Sequence, residues 1–251
     1  MKILAIESAQ STVSVAAAEE DAAGVRRVLG EYTVNGTKDH SQTLLPAVDL
    51  LTERLGLELS ELDAVAVSGG PGSFTGLRIG SATAKALAYS LGIPVVHVPT
   101  PDLMAYGICG ADGVICPLMD ARNRRVFTGL YRNRDTFEVL EPAFACGIAE
   151  LAELLNARGE RVVFTGDGIG AARELLEETL TVEHVFMPAH MAFPRASAAA
   201  VLALDCVRDG KTVSAAAEVP DYLRASQAER EFEKRTGMTV EEAARKARDG
   251  E

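Results

Sequence analysis

The sequence predicts an α/β protein built twice over, as two related lobes, each a mixed sheet flanked by helices. Three observations carry this. The stretch Val65-Ala66-Val67-Ser68-Gly69-Gly70-Pro71-Gly72-Ser73 reads as a strand running into a glycine turn and then a helix. Val162-Val163-Phe164-Thr165-Gly166-Asp167-Gly168-Ile169-Gly170 repeats that plan further along the chain. Each is preceded by a run of strands and one helix, so architecture is duplicated without obvious repetition of sequence. The boundaries read as 1–110 for the first lobe and 111–224 for the second. The helix 194–208 is a candidate to pack back on the first lobe, and 225–251 reads as a charged helical tail.

Taken in order, Lys2 to Ile6 is a buried strand and Val13 to Ala18 its hairpin return, joined by the turn Glu7-Ser8-Ala9-Gln10-Ser11-Thr12. The hydroxyls and carboxylate of that turn suit either a phosphate or metal ion, or bonds to their own backbone. Val25 to Val34 is a third strand. His40-Ser41-Gln42 then opens a helix on which Leu44, Leu45, Val48, Leu51 and Leu55 recur at helical spacing, widened by Ala47 and Leu50. An apolar band of that breadth can cover a sheet on one side and a partner on the other.

In the glycine turn, Gly69-Gly70-Pro71-Gly72 supplies the backbone freedom for a tight reversal. Ser73 or Thr75 can cap the helix that runs to Leu91 before Gly92-Ile93-Pro94 stops it. Such a turn is either an anion cradle of outward N–H groups at a helix N-terminus or a close-packed corner. It fits neither the Walker pattern nor the dinucleotide fingerprint. Gly80, Ala82, Ala84, Ala86 and Ala88 make that helix suited to close helix packing, within the chain or between chains.

Val95 to Val98 is a short strand, and Leu103 to Ile108 a helix after Pro99-Thr100-Pro101-Asp102. The second lobe opens with Val114-Ile115-Cys116-Pro117-Leu118-Met119-Asp120-Ala121-Arg122, a strand and turn. Strands at 125–132 and 136–144 follow, then helices at 149–158 and 171–179, separated by the second glycine turn. Asp120, Arg122, Asp167 and Glu7 could converge between the lobes, where a ligand is expected.

Composition narrows the function. The chain has 251 residues, 47% hydrophobic, with 36 acidic against 25 basic residues and a net charge of −11. Nucleic acid is held mainly by clustered Lys and Arg, so this chain alone is a poor binder of it. Cys109, Cys116, Cys146 and Cys206 form no CxxC pair, which argues against a zinc ribbon and fits a reducing cytoplasm. His40, His97, His184 and His190 include no i, i+4 pair to hold a metal. No GxSxG or HExxH motif and no Ser-His-Asp spacing is present.

Five segments together resemble the bacterial TsaB (YeaZ) family. They are Ile3-Leu4-Ala5-Ile6-Glu7-Ser8, His40-Ser41-Gln42, the glycine-rich 68–80 stretch, Met119-Asp120-Ala121-Arg122 and Pro220-Asp221-Tyr222-Leu223-Arg224. The resemblance implies the actin-like ATPase fold of sugar kinases and Hsp70. It implies a non-catalytic partner and activator of TsaD, which forms N6-threonylcarbamoyladenosine at position 37 of tRNAs. TsaE, an ATPase, joins the two, tRNA enters only through the complex, and the lone chain forms a homodimer. TsaD carries a His-x-x-x-His metal motif, and the matching positions here are Thr100 and Met104, which cannot replace two imidazoles. No catalytic residue and no metal is therefore expected. Candidate nucleotide contacts are Glu7, Ser8, Gly72, Ser73, Asp120, Gly166 and Gly168, with ATP bound weakly if at all. Candidate partner-facing residues are Leu44, Leu45, Val48, Thr75, Arg78, Ile79, Ala82 and Ala86. The competing expectation is an independent ATP-dependent enzyme of the sugar-kinase class, with Asp120 as its catalytic carboxylate. A metalloprotease is disfavoured by the missing histidines.

Overall fold

The structure, a computed structural model, describes residues 1–36 and 39–223, with Phe232, 234–238, Glu242, Ala243 and Lys246 beyond them. Met1–Asp221 forms one compact unit and Tyr222–Glu251 a second. In the second, Phe232 and 234–236 are helical, and the Thr236 hydroxyl donates to the Phe232 carbonyl at 2.7 Å.

The first sheet has the order β3-β2-β1-β4-β5. Its strands are β1 (Lys2–Glu7), β2 (Val13–Glu20), β3 (Arg26–Val34), β4 (Ala64–Gly70) and β5 (Val95–Pro99). The β1–β2 and β2–β3 pairs are antiparallel, whereas β1–β4 and β4–β5 are parallel. The second sheet comprises β6 (Val114–Pro117), β7 (Met119–Asp120), β8 (Arg125–Asn133), β9 (Phe137–Gly147), β10 (Val162–Thr165) and β11 (His184–Phe186). Its main path runs β9-β8-β6-β10-β11, with the short β7 added beside β8. Strand for strand this is the order of the first sheet, with the same mixture of antiparallel and parallel pairs. The helices repeat as well. In the first lobe they are α1 (His40–Leu55), α2 (Phe74–Leu91) and α3 (Thr100–Tyr106); in the second, α4 (Ile148–Arg158), α5 (Ile169–Thr179) and α6 (Ala196–Arg208).

Both faces of the first sheet are buried, and the strand alternation decides what each face meets. Leu4, Ile6, Val15, Val65, Val67 and Val95 pack with Leu44, Val48 and Leu51 of α1 and Ala84 and Ala88 of α2. The opposite face presents Ala5, Ala16, Ala18 and Ala66, all buried. The alanine-rich α6 lies along β1, β2 and β3 there. Ala199, Ala200 and Ala203 are fully buried, because small residues on both surfaces let helix and sheet approach closely. Charge pins α6 in place. Arg26 of β3 donates to both Asp205 and Glu20, and Arg195 and Ser197 both bind Glu31. The helix that ends the second lobe in sequence thus belongs to the core of the first.

Helix α3 joins the lobes by packing on strands of both sheets. Tyr131 of β8 donates its hydroxyl to Asp102 at 2.8 Å, and the Asn133 amide donates to the Tyr106 carbonyl at 2.7 Å. Burial pushes the Asp102 carboxyl up, an effect the Tyr131 bond partly offsets. Helix α3 starts at Thr100 rather than Leu103, since Pro101 is tolerated in a first turn. The three-residue β11 has no counterpart in the sequence reading: His184-Val185-Phe186 is too short to show a period.

Candidate functional site

Two surfaces of the compact unit bear on function. One is the mouth between the lobes, where turns from both sheets meet. The other is the outer face of α1 and α2.

At the mouth, the glycines of the 69–80 stretch are spent on contact with neighbouring turns. A Cβ at Gly72 would lie 2.4 Å from the Ala9 carbonyl oxygen, and one at Gly76 would lie 2.0 Å from that of Ser8. A Cβ at Gly80 would meet the Ser8 hydroxyl at 2.2 Å. The start of α2 is therefore pressed onto the β1–β2 turn, which only glycine permits. Two of the N–H donors there are also engaged. Ser73 N–H donates to the Ala9 carbonyl at 2.6 Å, and Gly76 N–H donates to the Ser73 hydroxyl at 3.3 Å, making Ser73 the N-cap. Of the two readings of this turn, the close-packed corner accounts for its geometry. The second lobe repeats the device. Gly166 (φ 114°) and Gly168 press on the Leu118 backbone, with Cβ positions at 2.0 and 2.9 Å.

This corrects the nucleotide-facing set at several positions. Ser8 is fully buried and donates its hydroxyl to the Gly76 carbonyl at 2.9 Å, so it is not presented to a ligand. Gly166 and Gly168 are buried against Leu118. Glu7 is fully buried; its Oε1 accepts the Ala9 N–H at 2.7 Å, while Oε2 has no partner. Burial pushes its carboxyl up to about 7, against hydrogen bonds that favour ionisation. Gly72 is half-buried, and Ser73 and Asp120 are exposed. The lobes do converge at Asp167, whose Oδ1 accepts from the Gln10 amide at 3.1 Å and from the Asp120 N–H at 3.3 Å. Asp120 in turn accepts the Arg122 N–H at 2.7 Å. Glu7 takes no part in that cluster. Thr100 and Met104, the positions matched to the TsaD histidines, are buried on α3. Among the described residues no three His, Cys, Asp or Glu side chains gather as metal ligands.

A polar cluster invisible in the sequence seals the far edge of the sheet. Glu218, in an alanine-rich loop, is buried and accepts the Ser81 hydroxyl; Lys85 donates to its carbonyl at 2.7 Å, and His97 Nδ1 stands 3.5 Å from Oε1. Burial works against its ionisation, but the His97 and Ser81 contacts and nearby Lys85 hold the carboxyl below its ordinary value. Asp221 N–H donates to the Gly69 carbonyl at 2.6 Å, so the 213–221 segment closes over β4 and β5. The Asp221 part of the Pro220–Arg224 motif thus has a structural place; Arg224 lies outside the described residues.

On the outer face, α1 and α2 divide the partner-facing set. Leu44 and Val48 are in the core, 1% and 2% exposed, and are withdrawn from any interface. Helical spacing explains why: they share a face with Leu51 that the sheet covers. Leu45, Thr75, Arg78, Ala82 and Ala86 are exposed and Ile79 is half-buried. On α2, Thr75, Arg78, Ala82, Ala86 and Tyr89 succeed one another at three- and four-residue steps and form one outward stripe. Gly80, Ala84 and Ala88 face inward. Tyr89, 81% exposed, and Leu45, 56% exposed, are the large side chains of this face, and Arg78 stacks on the Phe74 ring at 4.2 Å.

Two copies of one strand order, each with a glycine turn closing on the turn after its first strand, define a protein of the actin-like ATPase fold. The family profile described as "TsaD: tRNA N6-adenosine threonylcarbamoyltransferase" matches residues 27–232. The Bacillus subtilis "tRNA threonylcarbamoyladenosine biosynthesis protein TsaB" is 33% identical over 91% of this chain and 96% of its own length. The Escherichia coli protein of the same name is 30% identical over 89% of this chain and 95% of its own. The solved structure of YeaZ from Pseudomonas aeruginosa superposes with a TM-score of 0.74 at 27% identity, covering 88% of this chain and 99% of that one. The chain belongs to the TsaB (YeaZ) family. No described helix is long and apolar enough to cross a membrane.

Proposed function

We propose that this chain works in tRNA N6-threonylcarbamoyladenosine biosynthesis as a non-catalytic, cytoplasmic partner and activator of TsaD. It acts by forming a heterodimer through the outer face of α1 and α2, with TsaE joining the pair and tRNA engaged through the assembly. The observation that carries the reading is the α2 stripe of Thr75, Arg78, Ala82, Ala86 and Tyr89, flanked by Leu45 of α1. Small residues let a second helix pair approach closely, while an exposed tyrosine and leucine supply apolar area and an arginine supplies a directional donor. In the absence of TsaD the same face pairs two copies of the chain. Engagement of the Ser73 and Gly76 N–H groups within the fold supports a mouth that holds no resident nucleotide. Reconstitution tests this. TsaD, TsaE, ATP, the threonylcarbamoyl adenylate and tRNA are combined with and without this chain, and modified adenosine is quantified. The reading expects product only with the chain present; equal product without it, or modification by the chain alone, overturns it.

A further inference from the structure

The tip between β7 and β8 carries Arg122, Asn123, Arg124 and Arg125, all exposed. Arg122, Asn123 and Arg124 are held at φ of 61°, 56° and 58°, three consecutive non-glycine residues in the left-handed region. The surrounding structure fixes that conformation. Ala121 N–H donates to the Arg125 carbonyl at 3.1 Å, Ile148 N–H to the Arg124 carbonyl at 3.1 Å, and Arg122 N–H to Asp120. The main chain of this turn is thus tied down at both ends while its cationic side chains project.

Those cations form no ion pair among the described residues. Among the described residues, the Arg122 and Arg124 guanidiniums make no hydrogen bond or ion pair, and Arg125 only reaches the Ala145 carbonyl at 3.3 Å. The carboxylates on the segments joined to the tip bond main-chain and amide N–H groups and form no ion pair with these arginines. Asp120 accepts the Arg122 N–H, Asp167 accepts the Asp120 N–H and the Gln10 amide, and Glu150 accepts the Gly147 N–H at 3.2 Å. In a chain of net charge −11, three exposed arginines within four residues, none of them in an ion pair among the described residues, are a local concentration of positive charge.

We propose that the 122–125 tip contacts the sugar-phosphate backbone of RNA. Successive side chains leave a helical turn about 100° apart, so Arg122 and Arg124 diverge rather than converge on one anion. Divergent guanidiniums match separate phosphates along a strand, and guanidinium is the side chain best formed for bidentate phosphate contact. Three such contacts are too few for the lone chain to bind tightly, but they add to a tRNA surface shared with a partner. The inference rests on the reading of this chain as part of a tRNA-modifying assembly.

The test compares wild type with the R122Q/R124Q/R125Q variant, each assembled with TsaD, by fluorescence anisotropy of labelled tRNA over a salt series. Loss of three phosphate contacts lowers the slope of log affinity against log salt by about two to three, and weakens binding roughly tenfold or more at low salt. The R122K/R124K/R125K variant keeps most of the slope. Heterodimer formation, followed by light scattering, is expected to be the same for all three. An unchanged slope in the glutamine variant overturns the proposal. So does loss of heterodimer with the tRNA slope intact, which assigns the tip to a protein partner, or loss only of ATP binding by calorimetry, which assigns it to a free nucleotide. If wild type and TsaD do not associate, the function proposed above fails separately. The lone chain with tRNA at low salt then decides the tip: weaker binding by the glutamine variant supports it, and equal binding or none by wild type overturns it.

Discussion

Substituting Ala82 by glutamate separates a docking face from a structural one. Ala82 is exposed on α2, one turn from Arg78 and one from Ala86. In the isolated chain the new carboxylate meets water, so stability should change by no more than about 0.5 kcal/mol. That corresponds to a melting shift of roughly 1–2 °C for a chain of this size. Against TsaD the same carboxylate would be enclosed by a closely approaching helix, and an unpaired buried charge costs about 3–5 kcal/mol. The dissociation constant should therefore rise by about two to three and a half powers of ten. Titration calorimetry against TsaD measures this, with a thermal melt of the variant as the folding control. Arg78, a turn away, offers a partner for the introduced charge, so Ala86→Glu serves as a second, independent reading. Normal melting with wild-type affinity in both variants would refute the placement of the interface on this face.

The close-packed corner predicts unequal costs at glycines that look alike in sequence. Gly76→Ala places a methyl 2.0 Å from the Ser8 carbonyl oxygen and should destabilise by about 2–4 kcal/mol in urea unfolding. Gly170→Ala, with nothing within 4 Å of the new Cβ on α5, should stabilise by about 0.5 kcal/mol; equal effects would contradict the packing argument. Glu7 provides a pH signature. Its carboxyl rises from 4.5 to about 7 on folding, so the folded chain holds the proton more tightly than the unfolded chain does. Its favourable contribution is complete below about pH 4.5 and is lost as pH climbs through 7, an interval worth about 3 kcal/mol. Glu7→Gln should remove that dependence and leave the variant the more stable of the two at pH 8; parallel stability-versus-pH curves would exclude the assignment.

The duplicated plan was legible because it rests on local signals. β-branched runs, glycine turns and capped amphipathic helices announce themselves at short range, and the two strand-turn-helix units show the repeat before any contact is known. Which glycine does what was not legible. A glycine turn entering a helix reads equally as an anion cradle or a packed corner, and only the Ser8 and Ala9 atoms beneath Gly72, Gly76 and Gly80 show that the space is taken. The small residues of α2 read alike in sequence, and only the sheet beneath the helix separates the exposed Ala82 and Ala86 from the inward Ala84 and Ala88. On α1 the apolar band is broader than the face left for a partner: Leu44 and Val48 are core, and Leu45 alone of that trio is exposed. Glu218 could not have been found, since a lone acid among alanines carries no pattern until Ser81, His97 and Lys85 are brought to it. The convergence of Asp120 with Asp167 was anticipated, but the bridging Gln10 and the exclusion of Glu7 depend on long-range geometry.

Hydrogen exchange of this chain, alone and mixed with TsaD, addresses the central claim most directly. Protection should appear in the peptides covering 41–54 and 74–91, with the 119–125 and 166–169 turns at the mouth unchanged in the absence of tRNA. Protection confined to the mouth, or none anywhere on mixing, would contradict a function carried by the outer face of α1 and α2.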